Sequence, residues 1–339
     1  MSRISRYQES IEKFIKNKNI NNYFAEEFSK EIEEKLNNSD HLCGIILSTI
    51  FNHNTKKSNI KGHGYFLGIL IDICLIMLNT KNISSDMNTN LTIGLYRLLN
   101  ENLQILKSDD SEKLNIISNK IYEYFNSYIY TILKTEKYSF KKTTKSDLLN
   151  LKTITPELYK KISNMNKYEH KDFINHIKNK YGNIGKLVIL LSWIMGGGSV
   201  DKKTLPVLES IGEKFGLIYK VCIDFENIIS DIKNADNTTN NTIFNIGVQE
   251  SFELFMELKS SFYEESLKLE IYTHTMKEVI DELESKMDKC IENCNCFLII
   301  SNDRYLDIID KRKYNLCTFS VSILGVTTCF MPEKIESEC

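Results

Sequence analysis

The sequence predicts an all-α protein with a single domain. The chain has 339 residues and only three prolines, and because proline interrupts helices, its scarcity fits a mostly helical chain. Apolar residues recur at spacings of three and four over most of the length, which is the period of amphipathic helices. Hydrophobic residues make up 42% of the chain, enough for a large core, and no internal repeat or linker divides it.

Charge and hydropathy exclude two classes of partner. The formal net charge is −2, whereas a protein that binds nucleic acid carries a basic excess. The longest apolar run, YFLGILIDICLIML, contains Asp72 and is too short to span a bilayer. The first residues, MSRISRYQESIEKF, are polar and do not resemble a signal peptide. We therefore expect a cytoplasmic protein with no nucleic-acid partner and no membrane span.

The helices follow one another through the middle of the chain. The segment GHGYFLGILIDICLIML, from Gly62, is apolar on nearly all sides, which is typical of a central helix. Two further helices are predicted to begin at Asn88 and at Glu112. A polar stretch after Lys134 loosens the pattern, and helical periodicity then resumes.

We divide the chain into N-terminal helices of the bundle (1–60), a helical core (61–290) and a C-terminal extension (291–339). The extension contains TFSVSILGVTTCF, which is rich in β-forming residues and allows a short β element. Three cysteines lie close together in KCIENCNCF, at Cys290, Cys294 and Cys296. A metal site is conceivable there, but no second ligand pair with the usual spacing follows, so free thiols are the other interpretation.

The clearest pattern lies between Leu208 and Ile232. Spacings of three and four alternate through Leu208, Ile211, Phe215, Ile218, Cys222, Phe225, Ile229 and Ile232. This stripe predicts one long helix with a core-facing side. A second apolar row beside it is interrupted by Asp224, and a buried unpaired carboxylate is costly. Lys220 lies one turn earlier on the same face, so we expect it to be the main partner of Asp224.

At these residues the chain resembles the trans-isoprenyl diphosphate synthase (polyprenyl synthetase) family. That family carries a helix of the form G-x-x-F-Q-[hydrophobic]-x-D-D-x-x-D. In FGLIYKVCIDFENI, Gly216 matches the glycine, Tyr219 the aromatic residue, and Lys220 stands where the glutamine is. The segment IDFEN lies at D-D-x-x-D and keeps only Asp224 in register. The second aspartate-rich motif is therefore degenerate.

Upstream, KYGNIGKL resembles the family segment K-T-[GA]-x-L. Lys180 takes the place of the lysine that the family uses on the diphosphate, and Tyr181 replaces the threonine. Further upstream, NIKGHGYFLGILIDIC is similar to the family's G-K-R-x-R-P helix start, with Lys61 and His63 as the remaining basic residues. The resemblance thus implies four diphosphate-binding candidates: Lys180, Lys220, Lys61 and His63.

The helix from Asn88 falls where the family has its first aspartate-rich motif. Aligned without gaps, Leu106 and Lys107 occupy the aspartate positions, and the nearest carboxylates follow about one turn later. Those carboxylates are also what a helix start favours, since acids are stabilised near the positive end of the helix dipole. The candidate magnesium ligands are Asp224, Asp109, Asp110 and Glu112.

The resemblance covers roughly residues 61–287 and implies a fold, an activity and an assembly. The fold is an orthogonal all-α bundle of the isoprenoid synthase type with a central cavity. The activity is a magnesium-dependent condensation of isopentenyl diphosphate with an allylic diphosphate. The assembly is a homodimer, or a heterodimer with a related synthase, formed near the first motif.

Because both motifs are degenerate, we interpret the chain as an isoprenyl diphosphate synthase-like protein of isoprenoid metabolism. Its catalysis is reduced or lost, as in a regulatory or structural homologue that needs no cofactor. One alternative is an active magnesium-dependent prenyltransferase with unusual metal ligands. A second alternative is an all-α interaction protein unrelated to the family. The residue pattern does not identify a catalytic side chain.

Overall fold

The computed structural model describes residues 2–54, 61–80, 84–107, 112–135, 140–143, 160, 162–233 and 240–293. These residues form helices and one two-stranded sheet, so the predicted all-α class is confirmed. Four predictions concern residues outside this part of the chain: those for Asp109, Asp110, the thiols Cys294 and Cys296, and the C-terminal β element.

The elements, in chain order, are as follows. The first half has α1 Arg3–Lys18, a 3-10 turn Ile20–Tyr23, α2 Glu26–Asn37, α3 Leu42–Asn54, α4 Lys61–Asn79, α5 Ser85–Lys107 and α6 Glu112–Lys134. The second half has β1 Phe140–Lys142, β2 Asn166–Tyr168, α7 His170–Ile177, a π-helical segment Lys178–Gly182, α8 Asn183–Met195, α9 Thr204–Lys233, α10 Thr242–Ile246, α11 Val248–Lys268 and α12 His274–Asn293.

The core is built around α8 and α9. Almost every residue of α8 is buried, because this helix packs against α3, α4, α6 and α9 together. Helix α9 packs in addition against α11 and α12. The predicted stripe of α9 is buried wherever its side chains are described, and so is most of α4 from Gly64 to Ile76. Both helices that the apolar pattern placed at the centre therefore lie there.

A buried hydrogen bond joins the residue before α3 to α4. His41 Nδ1 lies 2.6 Å from Asp72 Oδ2, and both side chains are buried. Burial opposes protonation of His41, but the hydrogen bond and charge of Asp72 outweigh it, so the pKa of His41 is raised. Asp72 interrupts the most apolar run of the sequence, and this pair accounts for its presence.

The two-stranded sheet packs near the middle of α9. Strands β1 and β2 are antiparallel, with Phe140 opposite Tyr168. Tyr168 packs with residues of α7 and with Leu217 of α9 in a small second apolar cluster. The polar stretch after Lys134 gave no sign of this sheet. Among the described helices, none combines the length and the apolarity needed to cross a bilayer.

Helices α8 and α9 touch backbone to backbone through three glycines. A Cβ placed on Gly185 would overlap the carbonyl oxygen of Gly212 and lie 2.5 Å from the nitrogen of Gly216. A Cβ on Gly216 would likewise overlap the carbonyl oxygen of Tyr181. This contact fixes the position of Tyr181 against α9, which matters for the site described below.

We expect Gly185→Ala to lower the free energy of unfolding by about 3 kcal/mol, because the added methyl group meets backbone atoms that cannot rotate away. Gly182→Ala is the matched control, since its Cβ would first meet Glu213 Cγ at 3.2 Å, on a flexible side chain. The control should change stability by less than about 1 kcal/mol. Urea denaturation measures both, and equal stability of the two variants would contradict the close crossing.

Candidate functional site

The site begins with the ion pair that the sequence predicts on α9. Lys220 Nζ donates to Asp224 Oδ1 at 2.6 Å, one helical turn apart. The two side chains are only 6% and 4% exposed. The apolar row around them explains the burial, and burial in turn makes the pairing obligatory, since a lone charge there is strongly unfavourable.

The second oxygen of Asp224 is bonded by a residue that follows α9. The backbone N–H of Thr242 donates to Asp224 Oδ2 at 2.8 Å, and the Thr242 hydroxyl donates to the same oxygen. Asn241 Nδ2 donates to the Asp224 carbonyl at 2.8 Å and to Asp231 Oδ2 at 2.9 Å. Lys220 therefore supplies one of the three hydrogen-bond donors to this carboxylate. The prediction that Lys220 is the main partner of Asp224 was incomplete, because Thr242 supplies the other two.

Tyr181 closes the other side of the lysine. The Lys220 ammonium lies 4.8 Å from the centroid of the Tyr181 ring, a cation–π distance. The Tyr181 hydroxyl donates to Asn79 Oδ1 at 2.6 Å, at the C-terminal end of α4. Tyr181 belongs to the π-helical segment Lys178–Gly182, and such segments often mark functional sites.

Electrostatics of the pair follow from its burial. Burial lowers the pKa of Lys220, but the charge of Asp224 and the proximity of Tyr181 outweigh it, so the pKa is raised. Burial raises the pKa of Asp224 more than Lys220 and Thr242 lower it. The first shift favours the charged lysine and the second the neutral acid. An ammonium and a backbone N–H can only donate, so the geometry is that of an ionised carboxylate.

The histidine near the pair, His176, is uncharged at neutral pH. Burial, Lys180 and Lys220 lower the pKa of His176 to about 3, so this imidazole carries no charge at neutral pH. Its ring stacks on Tyr168 at 4.9 Å between centroids. The positive charge in this region therefore resides on the two lysines.

This arrangement does not fit magnesium. The ion prefers several oxygen ligands in an octahedral array, but both oxygens of Asp224 already accept hydrogen bonds from the protein. Within the described part of the chain, no three His, Cys, Asp or Glu side chains come close enough together to hold a metal. Glu226 instead faces Lys286 at 3.9 Å, and Asn227 is exposed.

The structure separates the remaining candidates. Lys180 lies beside Tyr181 and contributes to a cavity that reaches Ile132 and Thr135 at the C-terminal end of α6. Glu112 is the first residue of α6. Helix α6 is about 33 Å long, and Lys180 lies near its other end. Glu112 is not brought together with Asp224 as a metal ligand.

The two upstream basic residues also lie away from the pair. Lys61 begins α4 and Asn79 ends it, which places them about 27 Å apart along the axis. His63 is in the same first turns as Lys61. Since Asn79 is bonded to Tyr181, the backbone of Lys61 and His63 lies at the opposite end of α4 from Lys220.

Sequence reasoning missed Asn79, Asn241 and Thr242. Asn79 ends an apolar helix, and Asn241 caps α10 by accepting from the backbone N–H of Ile243 at 2.9 Å. An Asn before a short apolar run is a helix-start signal, so the cap of α10 was open to prediction. The hydrogen bond from Thr242 to Asp224, 18 residues earlier, could not be predicted from the local sequence.

Comparison with known proteins supports the fold. No protein-family model matches the sequence, and no curated protein matches it. A geranyltransferase from Helicobacter pylori has a similar structure, with a TM-score of 0.53 and 13% identity over 85% of this chain and 99% of that one. A protein assigned as a farnesyl-diphosphate synthase in Marinomonas sp. MED121 gives a TM-score of 0.52 at 9% identity, over 85% and 100%. An FPP/GFPP synthase from Zymomonas mobilis gives 0.49 at 10%, over 84% and 98%.

At such identities the likeness shows the fold alone. The chain is an all-α bundle of the isoprenoid synthase type, as the resemblance of its α9 segment implied. It is thus isoprenoid synthase-like in architecture. In its candidate site, Lys220 and Thr242 engage the Asp224 carboxylate.

We expect Asp224→Asn to lower the free energy of unfolding by about 3 kcal/mol, because it leaves the Lys220 ammonium buried without an anion. The matched control is Asp281→Asn, since Lys277 and Asp281 have the same spacing but are 50% and 46% exposed. It should cost less than about 1 kcal/mol. Adding Lys220→Met to Asp224→Asn should restore most of the loss. Denaturation curves that give the two single variants equal stability would contradict this account of the pair.

Proposed function

We propose that this chain is an isoprenyl diphosphate synthase-like protein of isoprenoid metabolism whose magnesium-dependent catalysis is reduced or lost. It acts as a regulatory or structural homologue of an active synthase. The observation that carries this proposal is the full engagement of the Asp224 carboxylate by Lys220 and Thr242. A metal would have to displace both.

The chemistry of allylic condensation explains why this matters. A diphosphate leaves an allylic carbon only when its growing charge is neutralised, and divalent metals supply that neutralisation in the family. A single ammonium already paired with a carboxylate supplies no net charge. Lys180 contributes a basic side chain to the lining of the cavity.

The active-enzyme alternative would need metal ligands near Lys180. Of the proposed set, Glu112 begins α6 at the far end from the cavity, and Asp224 is engaged by protein donors. The described residues therefore favour the inactive interpretation. The interaction-protein alternative loses support because the bundle is of the isoprenoid synthase type.

The test is a condensation assay with magnesium, isopentenyl diphosphate and dimethylallyl, geranyl or farnesyl diphosphate. We expect no turnover above that of a heat-inactivated sample, because no described group of side chains can hold the metal ions. Product can be followed by extraction of radiolabelled prenyl alcohols after phosphatase treatment. An active synthase run in parallel controls for the substrates and the extraction.

Robust turnover that disappears in Asp224→Asn, while the melting temperature of that variant equals that of the wild type, would overturn the proposal. Robust turnover that persists in Asp224→Asn would also overturn it, and would indicate metal ligands elsewhere in the chain.

We further propose that the chain assembles through α5 and α6, as a homodimer or with a related synthase. Among the described residues, five of the six large apolar side chains that are exposed lie on these two adjoining helices. They are Ile93, Ile116, Tyr122, Tyr130 and Leu133. Such a concentration on a protein surface is typical of an interface rather than of scattered exposure.

Light scattering of the purified chain at micromolar concentration should give twice the monomer mass of 39.4 kDa. Tyr130→Glu, at the most exposed of these side chains, should shift the mass towards the monomer, because it places a charge in the apolar contact. Leu267→Glu is the matched control, since Leu267 is the sixth exposed apolar side chain and lies on α11. A monomeric wild type that also fails to bind a synthase partner would exclude this assembly.

A further inference from the structure

His41 and Asp72 form a second buried pair, which the candidate site does not use. His41 lies directly before α3 and Asp72 lies within α4, and their side chains are 0% and 1% exposed. The hydrogen bond between them joins His41 Nδ1 to Asp72 Oδ2 at 2.6 Å. The backbone of His41 is left-handed, with a φ of 55°, which is unfavourable for a residue with a side chain. The pair therefore holds the residues before α3 in a conformation that has a cost of its own.

Each partner keeps one buried polar atom without a hydrogen bond. Among the described residues, His41 Nε2 and Asp72 Oδ1 have no hydrogen-bond partner. By contrast, both oxygens of Asp224 accept hydrogen bonds, from Lys220 and from Thr242. The charge of the Asp72 carboxylate is thus balanced by the imidazole, and a histidine loses its charge near neutral pH, which a lysine does not.

The acids around the pair make the loss of its proton unfavourable. Burial lowers the pKa of His41, but Asp72, Asp40 and Glu12 of α1 outweigh it, so the pKa is raised. Burial, reinforced by Asp40, raises the pKa of Asp72 against the effect of His41. Both shifts retain the proton that the pair shares. Without that proton, a net negative charge would be buried beside two further acids.

The other titratable groups around the pair keep their charge state near neutral pH. Burial raises the pKa of two neighbouring thiols and of one phenol on α9, so these groups stay neutral. They are Cys43, Cys74 and Tyr219. Lys286 of α12 lies 3.1 Å from Asp40, and although burial lowers its pKa, Asp40 and Glu226 raise it overall. Within this described group of side chains, His41 is the one that titrates near neutral pH.

Solvent reaches the residues on both sides of His41. A cleft of about 410 Å³ is lined by Asp40 and Leu42, together with residues of α1 and α12. The start of α3 therefore lies at the edge of the bundle. A local opening there would hydrate the pair without exposing the core around α8 and α9.

We propose that the His41–Asp72 pair is a pH-sensitive joint, which holds the residues before α3 against α4 while it keeps its shared proton and releases them towards the cleft when that proton is lost. In the unfolded chain the histidine loses its proton at about pH 6.5, whereas the folded pair keeps it to higher pH. The stabilisation is therefore present in mild acid, below about pH 6.5, and is lost as the pH rises through the raised pKa of His41. The joint involves neither a substrate nor a metal, so its test is independent of the proposed function.

Urea denaturation of the full chain at several pH values between about 6.5 and about 8 measures the linked proton. The unfolding equilibrium constant of the wild type should rise about three- to tenfold per pH unit, tenfold being the limit for one proton. In Asp72→Asn it should rise less than about twofold, because a neutral imidazole and an amide pair without a charge. Both chains carry the same buried thiols, so the comparison cancels their contribution. His274→Gln is the control, since it removes an exposed histidine from the start of α12, and it should keep the wild-type slope.

Two further measurements follow the joint itself. In NMR spectra of wild-type protein with labelled histidine, His41 should titrate at a higher pH than the exposed His274, and this readout does not require Asp72→Asn to fold. Amide hydrogen exchange locates the release through Ile45, whose N–H donates to the His41 carbonyl at 2.8 Å. This amide should open about tenfold or more often than the core amides of α8, and its opening should increase with pH in the wild type but not in Asp72→Asn.

The proposal is overturned if His41 titrates at or below the midpoint of His274, or if the wild type and Asp72→Asn depend on pH in the same way. Exchange of Ile45 only together with the core amides of α8 would also overturn it, because the release would then not be local. A flattened slope in His274→Gln would count against it as well, since the pH dependence would then come from an exposed histidine.

Discussion

The buried pair of Lys220 and Asp224 is the constraint on which the rest of the site depends. Two opposite charges in an apolar row are tolerable only together and only when their remaining hydrogen-bonding capacity is filled. Thr242 fills it on the side of the acid, and the Tyr181 ring covers the lysine. Each of these residues comes from a different element, so the pair ties α9 to α10 and to the π-helical segment. The glycine contact between α8 and α9 holds that segment at the required distance.

The features that the sequence predicts are those that depend on residues close together along one helix. The stripe from Leu208 to Ile232 repeats with the period of one helix, and Lys220 and Asp224 are one turn apart, so a single helix sufficed to place them. Thr242 and Asn79 could not be found in this way. Thr242 is 18 residues from Asp224 and Asn79 is 102 residues from Tyr181, and nothing periodic connects positions that meet only through tertiary packing. Of the metal ligands predicted after α5, only Glu112 lies within the described part of the chain, and it begins α6.

Lys220 sets the electrostatics of the site. Lys220 stands where the resemblance implies glutamine, and its ammonium lies where it neutralises the remaining aspartate. A neutral amide would leave that carboxylate needing a cation from solution. The chain therefore supplies a positive charge beside this carboxylate from its own lysine. Beside this pair lies a small cavity whose lining is mostly apolar and includes Lys180.

The most direct test of this account is the melting temperature of the wild-type chain with inorganic pyrophosphate, measured in magnesium and in EDTA. A ligand that binds the native state specifically must stabilise it by mass action. Because Asp224 is committed to Lys220 and Thr242, the two melting temperatures should agree. A rise of more than about 3 °C in magnesium over EDTA, absent from Asp224→Asn, would mean that the carboxylate exchanges its protein partners for a metal and would contradict the account.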